Sequence, residues 1–156
     1  MYKKVFFLLC VLLMITGCGL FKKKEPPPPP EPTLAVLEFE AAGNINPNLE
    51  GRACPVGIRI YQLKSYSDFK EVDFYSLFEK DDQLLGKDLL HKEEILLKPN
   101  EKRTVFFEVA EDTRTIGLFG IFRTFEQSQW KAASNILKNK TNVINVYVSG
   151  TRLIIK

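Results

Sequence analysis

The chain has 156 residues, of which 45% are apolar and 26% charged. That is the length of one domain and the composition of a folded one, which excludes an intrinsically disordered chain. The net charge is +3; without Lys3 and Lys4 the 22 basic residues fall to 20 against 19 acidic ones, so no basic footprint for nucleic acid exists.

Residues 1–17 read as a signal peptide. Lys3 and Lys4 precede an apolar run of eleven residues, Val5 to Ile15. As a helix it spans about 16 Å, half of a ~30 Å hydrocarbon core, so it is a signal-peptide h-region and not a membrane span. Ile15-Thr16-Gly17-Cys18 places a small residue directly before a cysteine. This resembles the lipobox of bacterial lipoproteins. The resemblance implies a diacylglyceryl thioether on Cys18, cleavage before it, and acylation of the new amino group. Gly19 in place of Asp favours sorting to the outer membrane, whose lipid then becomes a partner of the chain.

Residues 18–33 form the lipidated Cys and a Pro-rich tether (GLFKKKEPPPPPEPT after the cysteine). Lys22, Lys23 and Lys24 either attract anionic headgroups at about 1 kcal/mol each or keep the tether soluble. Pro26 to Pro30 and Pro32 favour polyproline II, giving a reach of roughly 45 Å. A PxxP ligand site is the rival reading, set aside because the domains that read such motifs are mostly intracellular in eukaryotes.

Residues 34–156 form one domain in which strand signals dominate. Leu34 to Ala42 alternates, with Ala35, Leu37, Phe39 and Ala41 on one face. Further strands are expected over Val56–Lys64, Leu89–Leu97, Arg103–Ala110, Arg114–Arg123, Trp130–Leu137, Val143–Ser149 and Thr151–Ile155, with turns at Lys98–Glu101 and Gly150. Ser67 to Phe78 breaks the pattern: Phe74, Leu77 and Phe78 stand at i, i+3, i+4, which predicts a short amphipathic helix capped by Ser67 or Asp68, with a second turn near Asp82–Leu85. Eight short strands with turns between them predict a mainly β fold, a sandwich of two sheets with a short helical insertion.

No catalytic, cofactor or metal constellation stands out. His91 is the sole histidine and lacks a second ligand at metal spacing. Glu93-Glu94 and Asp81-Asp82 are adjacent pairs; neighbours on a strand face opposite ways, so Glu93 and Glu94 do not converge on one substrate, and solvated charge is the default reading of both pairs. Cys10 leaves with the leader and Cys18 carries lipid, so Cys54 is a free thiol or pairs with another chain. Asn139-Lys140-Thr141 matches a glycosylation pattern that a bacterial lipoprotein does not use. These absences favour a binding or scaffolding role over an enzyme, with no small-molecule substrate.

The series IYQL (Ile60–Leu63), DFYSLFE (Asp73–Glu79), LLGKDLL (Leu84–Leu90) and EEILLKP (Glu93–Pro99) resembles the TssJ (SciN) family, the outer-membrane lipoprotein of the type VI secretion system. The resemblance implies a transthyretin-like β-sandwich, no enzyme activity, and a domain facing the periplasm. It implies docking on the periplasmic part of a TssM-type inner-membrane component and, through it, on a TssL-type component. It points to the loop between the first two strands, Gly43 to Cys54, with Asn44, Ile45, Asn46, Pro47, Asn48, Leu49, Glu50 and Arg52 as candidate contacts. The turn formers there independently read as a loop. Ile45 and Leu49 either pin it to the core or serve a partner. Two other expectations compete: a lipid-tethered ligand carrier or hydrolase, which needs a deep cavity around His91, and a pilot lipoprotein of another secretion machine.

Overall fold

A computed structural model describes residues 27–156; the signal peptide, Cys18 and Lys22–Lys24 lie outside the described residues. Eight strands are present: β1 (Leu34–Ala41), β2 (Val56–Leu63), β3 (Leu89–Leu97), β4 (Lys102–Glu108), β5 (Thr115–Ile121), β6 (Lys131–Asn135), β7 (Thr141–Ser149) and β8 (Arg152–Ile155). Between β2 and β3 lie α1 (Ser67–Glu71), α2 (Phe74–Leu85) and a 3-10 turn (Gly86–Asp88). The strands form two four-stranded sheets, ordered β4-β1-β7-β8 and β3-β2-β5-β6. β1 and β7 run parallel; every other ladder is antiparallel.

The alternation predicted for β1 holds: Ala35, Leu37, Phe39 and Ala41 are buried while Glu38 and Glu40 face water. They meet Ile144, Val146 and Val148 of β7 and, from the opposite sheet, Ile58, Ile60, Ile116 and Leu118. The second sheet is covered on its other face too. Tyr61, Leu63 and Phe119 point away from the sandwich core and pack with Phe69, Phe74, Leu77 and Leu85 from the two helices. That double cover is why β5 is so apolar and buried almost throughout. Gly117 permits it, since a Cβ there would sit 3.0 Å from Leu63 Cδ1 and 3.1 Å from Phe69 Cζ.

The helical insertion differs from its expectation. One helix over 67–78 was predicted; two helices form, broken at Val72, whose ψ of 135° is extended. Asp73 is the reason: its carboxylate accepts from the Ser76 backbone N–H at 3.0 Å and starts a new helix. Neither Ser67 nor Asp68 caps α1, whose N-cap is Tyr66. The predicted second turn near Asp82–Leu85 is the end of α2 itself, past a non-helical Lys80.

β1 and β7 both begin at the pole where the tether enters. Four connections lie at the opposite pole: residues 42–55 between β1 and β2, residues 98–101 between β3 and β4, residues 122–130 between β5 and β6, and the Gly150 turn.

Candidate functional site

The loop between β1 and β2 is fixed at its base and free at its tip. Ile45 is fully buried in the sandwich core. Asn46 follows with φ of 45°, in the left-handed region that asparagine tolerates better than most residues. Its buried amide donates to Pro55 O at 2.7 Å and accepts from the Arg123 N–H at 2.9 Å, tying the loop to the β5–β6 connection. Its own N–H donates to Gly150 O at 2.7 Å. Asn44 Oδ1 accepts from Gly150 N at 3.2 Å and from Ser149 Oγ at 3.3 Å. Cys54 N donates to Ile45 O, closing the base. Cys54 itself is a half-buried free thiol.

The tip is shaped by Asn48. Its side-chain oxygen accepts from Glu50 N at 3.0 Å and Arg52 N at 2.9 Å, an Asx-type turn. Gly51, at φ of 76°, completes the reversal. Glu50 and Arg52 form an exposed ion pair worth at most about 1 kcal/mol. Leu49 projects from this turn and is fully exposed. Pro47 to Glu50 form one wall of an open cleft of ≈ 420 Å³, and Arg123 with Thr124 forms the other.

The eight loop residues proposed from the sequence therefore divide. Ile45 and Asn46 are buried framework, and Asn44 clamps the neighbouring turn. Pro47, Asn48, Leu49, Glu50 and Arg52 form the accessible tip. Ile45 pins the loop to the core, and Leu49 does not. Arg123 and Thr124 belong to the same surface and were missed; Arg123 lies 77 positions from Asn46, and nothing local in the sequence joins them.

The charged pairs and the histidine have different surroundings. Asp81 was expected in water and is instead 5% exposed beneath α2. The ladder sets Arg59 opposite Glu94 and Tyr61 opposite Lys92 on the outer face of the second sheet, and α2 lowers Asp81 among them. Glu94 is likewise engaged, accepting from Arg59 Nε at 2.8 Å. His91 is exposed, at an open cleft beside Leu90, Phe107, Glu108 and Glu111. Among the described residues no group of His, Cys, Asp and Glu side chains has metal-binding geometry.

A surface with a rigid base, an exposed leucine and no convergent reactive groups suits docking. The family model described as "T6SS-SciN: Type VI secretion lipoprotein, VasD, EvfM, TssJ, VC_A0113" matches residues 33–151. The chain belongs to the TssJ family of type VI secretion lipoproteins. Among solved structures it is similar to the type VI secretion lipoprotein TssJ1 from Pseudomonas aeruginosa, at 29% identity and a TM-score of 0.77, over 80% of this chain and 95% of that one. It is also similar to Serratia marcescens Lip, a membrane-bound component of the type VI secretion system (21% identity, TM-score 0.74, 80% and 96% covered). A chain in the structure of the TssM C-terminal domain from EAEC shares the fold at 24% identity and a TM-score of 0.68, with 78% and 99% covered. No curated protein sequence matches. TssJ lipoproteins are structural components of a membrane complex, and the eight-stranded, two-sheet sandwich with its helical insertion is the TssJ fold.

Proposed function

We propose that this lipoprotein is a non-enzymatic outer-membrane anchor of a type VI secretion membrane complex. Its sandwich faces the periplasm and grips the periplasmic part of a TssM-type inner-membrane component, which links it in turn to a TssL-type component. Cys18 carries the lipid, and the tip Pro47–Arg52 makes the grip. Family membership supports the complex, and a TssM C-terminal domain structure contains a chain of this fold. The observation that carries the reading is Leu49: a fully exposed leucine on a turn whose base is held by the buried Asn46. A large apolar side chain held out on a rigid support loses little entropy when a partner covers it.

The test is calorimetric titration of the full-length lipoprotein in detergent micelles with the partner's periplasmic domain. Leu49→Glu is expected to weaken binding by about tenfold or more, with a melting temperature unchanged because the side chain touches no core. Wild-type affinity in the variant overturns the reading.

A further inference from the structure

The tip alone is too small for a stable interface. A standard interface takes about 20–30 residues and ~800 Å² from each side. Residues 43–54 number twelve, and Ile45 and Asn46 among them are buried. The partner must therefore cover neighbouring surface at the same pole. One neighbour is the Ser149–Gly150–Thr151 turn, which is small and polar. A second is the polar Lys98–Glu101 turn, whose Asn100 N–H donates to Ala42 O; a third is the β5–β6 connection, and it alone leads to exposed aromatic rings.

That second path is continuous. Arg123 is hydrogen-bonded to Asn46 and, with Thr124, walls the cleft beside Leu49. The next residue, Phe125, stacks on Phe74 of α2 at 4.3 Å and meets Tyr75 edge-on at 4.8 Å. Phe74 is inside, on Phe119 and Trp130. Tyr75 and Phe78 turn outward, 59% and 42% exposed, three residues apart on one face of the helix. Exposed aromatics grouped in this way are uncommon on a free surface and are enriched at interfaces. Glu50 and Arg52 at the tip are paired with each other, and Arg123 has no ion-pair partner among the described residues, so the surface calls for a mainly apolar partner with one acceptor for the Arg123 guanidinium.

We propose that the docking surface runs from Leu49 across Arg123 and Phe125 to Tyr75 and Phe78, and that the same TssM-type domain covers both ends with a mainly apolar surface of its own. This rests on the loop-docking reading above and extends it onto the helical insertion. The insertion then has a use beyond covering the second sheet: it widens the grip.

The titration separates the two readings. Full-length Tyr75→Glu and Tyr75→Ser, titrated beside Leu49→Glu, are each expected to bind the partner's periplasmic domain about tenfold more weakly or worse. Melting temperatures are expected to fall by only a few degrees, since Tyr75 is exposed and gives up just its edge-on contacts to Phe125 and Phe74. If Leu49→Glu weakens binding and both Tyr75 variants bind normally, the extension is wrong and tip docking stands. If the Tyr75 variants and Leu49→Glu all bind normally, both readings fall. If the Tyr75 variants lose self-association in sedimentation while partner affinity is unchanged, the aromatic patch meets a second copy of this chain, and the extension is again overturned.

Discussion

Asp81 is a carboxylate sealed between a helix and a sheet, and its survival there depends on its partners. Its two oxygens accept from Tyr61 OH at 2.9 Å, Arg59 Nη1 at 3.1 Å, Lys92 Nζ at 2.9 Å and the Asp82 N–H at 2.8 Å. Lys92 also reaches Asp82, and Arg59 also reaches Glu94, so two cations serve three carboxylates. Burial by itself pushes the Asp81 carboxyl up; the bonds from Lys92 and Tyr61 outweigh it and hold the group below its ordinary value. Burial likewise works against the Lys92 charge, and Asp82 and Asp81 keep that group above its usual value. Burial carries the Tyr61 hydroxyl well above its ordinary range, so it stays a donor. Replacing such a network with apolar residues can be neutral, but deleting one partner strands the others. Asp81→Asn is therefore expected to cost about 3 kcal/mol at neutral pH. The sign with pH follows from a depressed acid: the stabilisation is present above the unfolded-state value and is lost as pH falls through the folded one. The gap in melting temperature between wild type and Asp81→Asn should narrow as pH drops from 7 to 2, and a gap independent of pH contradicts the ionic account. Nothing in the sequence announced this site. Asp81 and Asp82 are neighbours, and the pairing of position 81 with 59, 61 and 92 exists only once β3 has settled its register on β2.

At the scale of elements, α1 is a five-residue helix that cannot persist alone, because a helix so short never recovers its nucleation cost. It is held from outside. Phe69 fills the space that Gly117 leaves open, and Lys131 of β6 inserts its ammonium at the helix C-terminus. That nitrogen donates to three carbonyls, Phe69 O at 3.1 Å, Lys70 O at 2.6 Å and Val72 O at 2.8 Å, and sits 4.6 Å from the Trp130 ring centre. A cation at a helix C-terminus also meets the negative end of the dipole. Burial lowers the Lys131 pKa, with Glu71 and Asp73 partly offsetting it. Lys131→Met keeps the stem and removes the donors, at an expected cost of about 1–3 kcal/mol. Hydrogen exchange should show residues 67–72 losing protection while β1, β2 and β5 keep theirs; an unchanged pattern refutes the capping role. The strands were easier to read than this insertion. Period-two alternation located β1 and β2 each within one residue, because a one-sided burial demand leaves its mark on every second residue, and β3 was read from its apolar end Ile95-Leu96-Leu97. The break at Val72–Asp73 left only a single capping carboxylate in a run already rich in helix-forming pattern. The tip proposed to dock was legible as a loop from Asn46, Asn48 and Gly51. Its second wall, Arg123 and Thr124, was not, since tertiary contact alone brings it there.

The whole molecule has two poles joined by one strand. The tether meets the sandwich at Thr33, whose carbonyl accepts from Val109 N at 2.8 Å and whose hydroxyl accepts from Asn139 N at 2.9 Å. β1 begins at the next residue, is paired along both edges by β4 and β7, and ends about 25 Å away where the 42–55 loop departs. A pull between the proposed lipid at Cys18 and the proposed partner on Leu49 would enter and leave at the two ends of β1, so the covalent backbone of that one strand carries it while the ladders to β4 and β7 hold the strand in the sandwich. Such a strand transmits tension only if the lipid end does not let go. A single acyl chain binds a bilayer marginally and reversibly, while each further buried CH₂ adds about 0.8 kcal/mol, so a diacylglyceryl thioether with an added acyl chain is effectively permanent. Cys18→Ser removes the sulfur proposed to form the thioether and leaves the sequence of residues 34–156 unchanged. The variant is expected to leave the outer-membrane fraction and to fail to assemble the secretion complex in cells. Its purified domain should still bind the partner's periplasmic domain with wild-type affinity, because the two poles share no side chain. Retention in the outer membrane at the wild-type level would show that something other than this lipid holds the sandwich there.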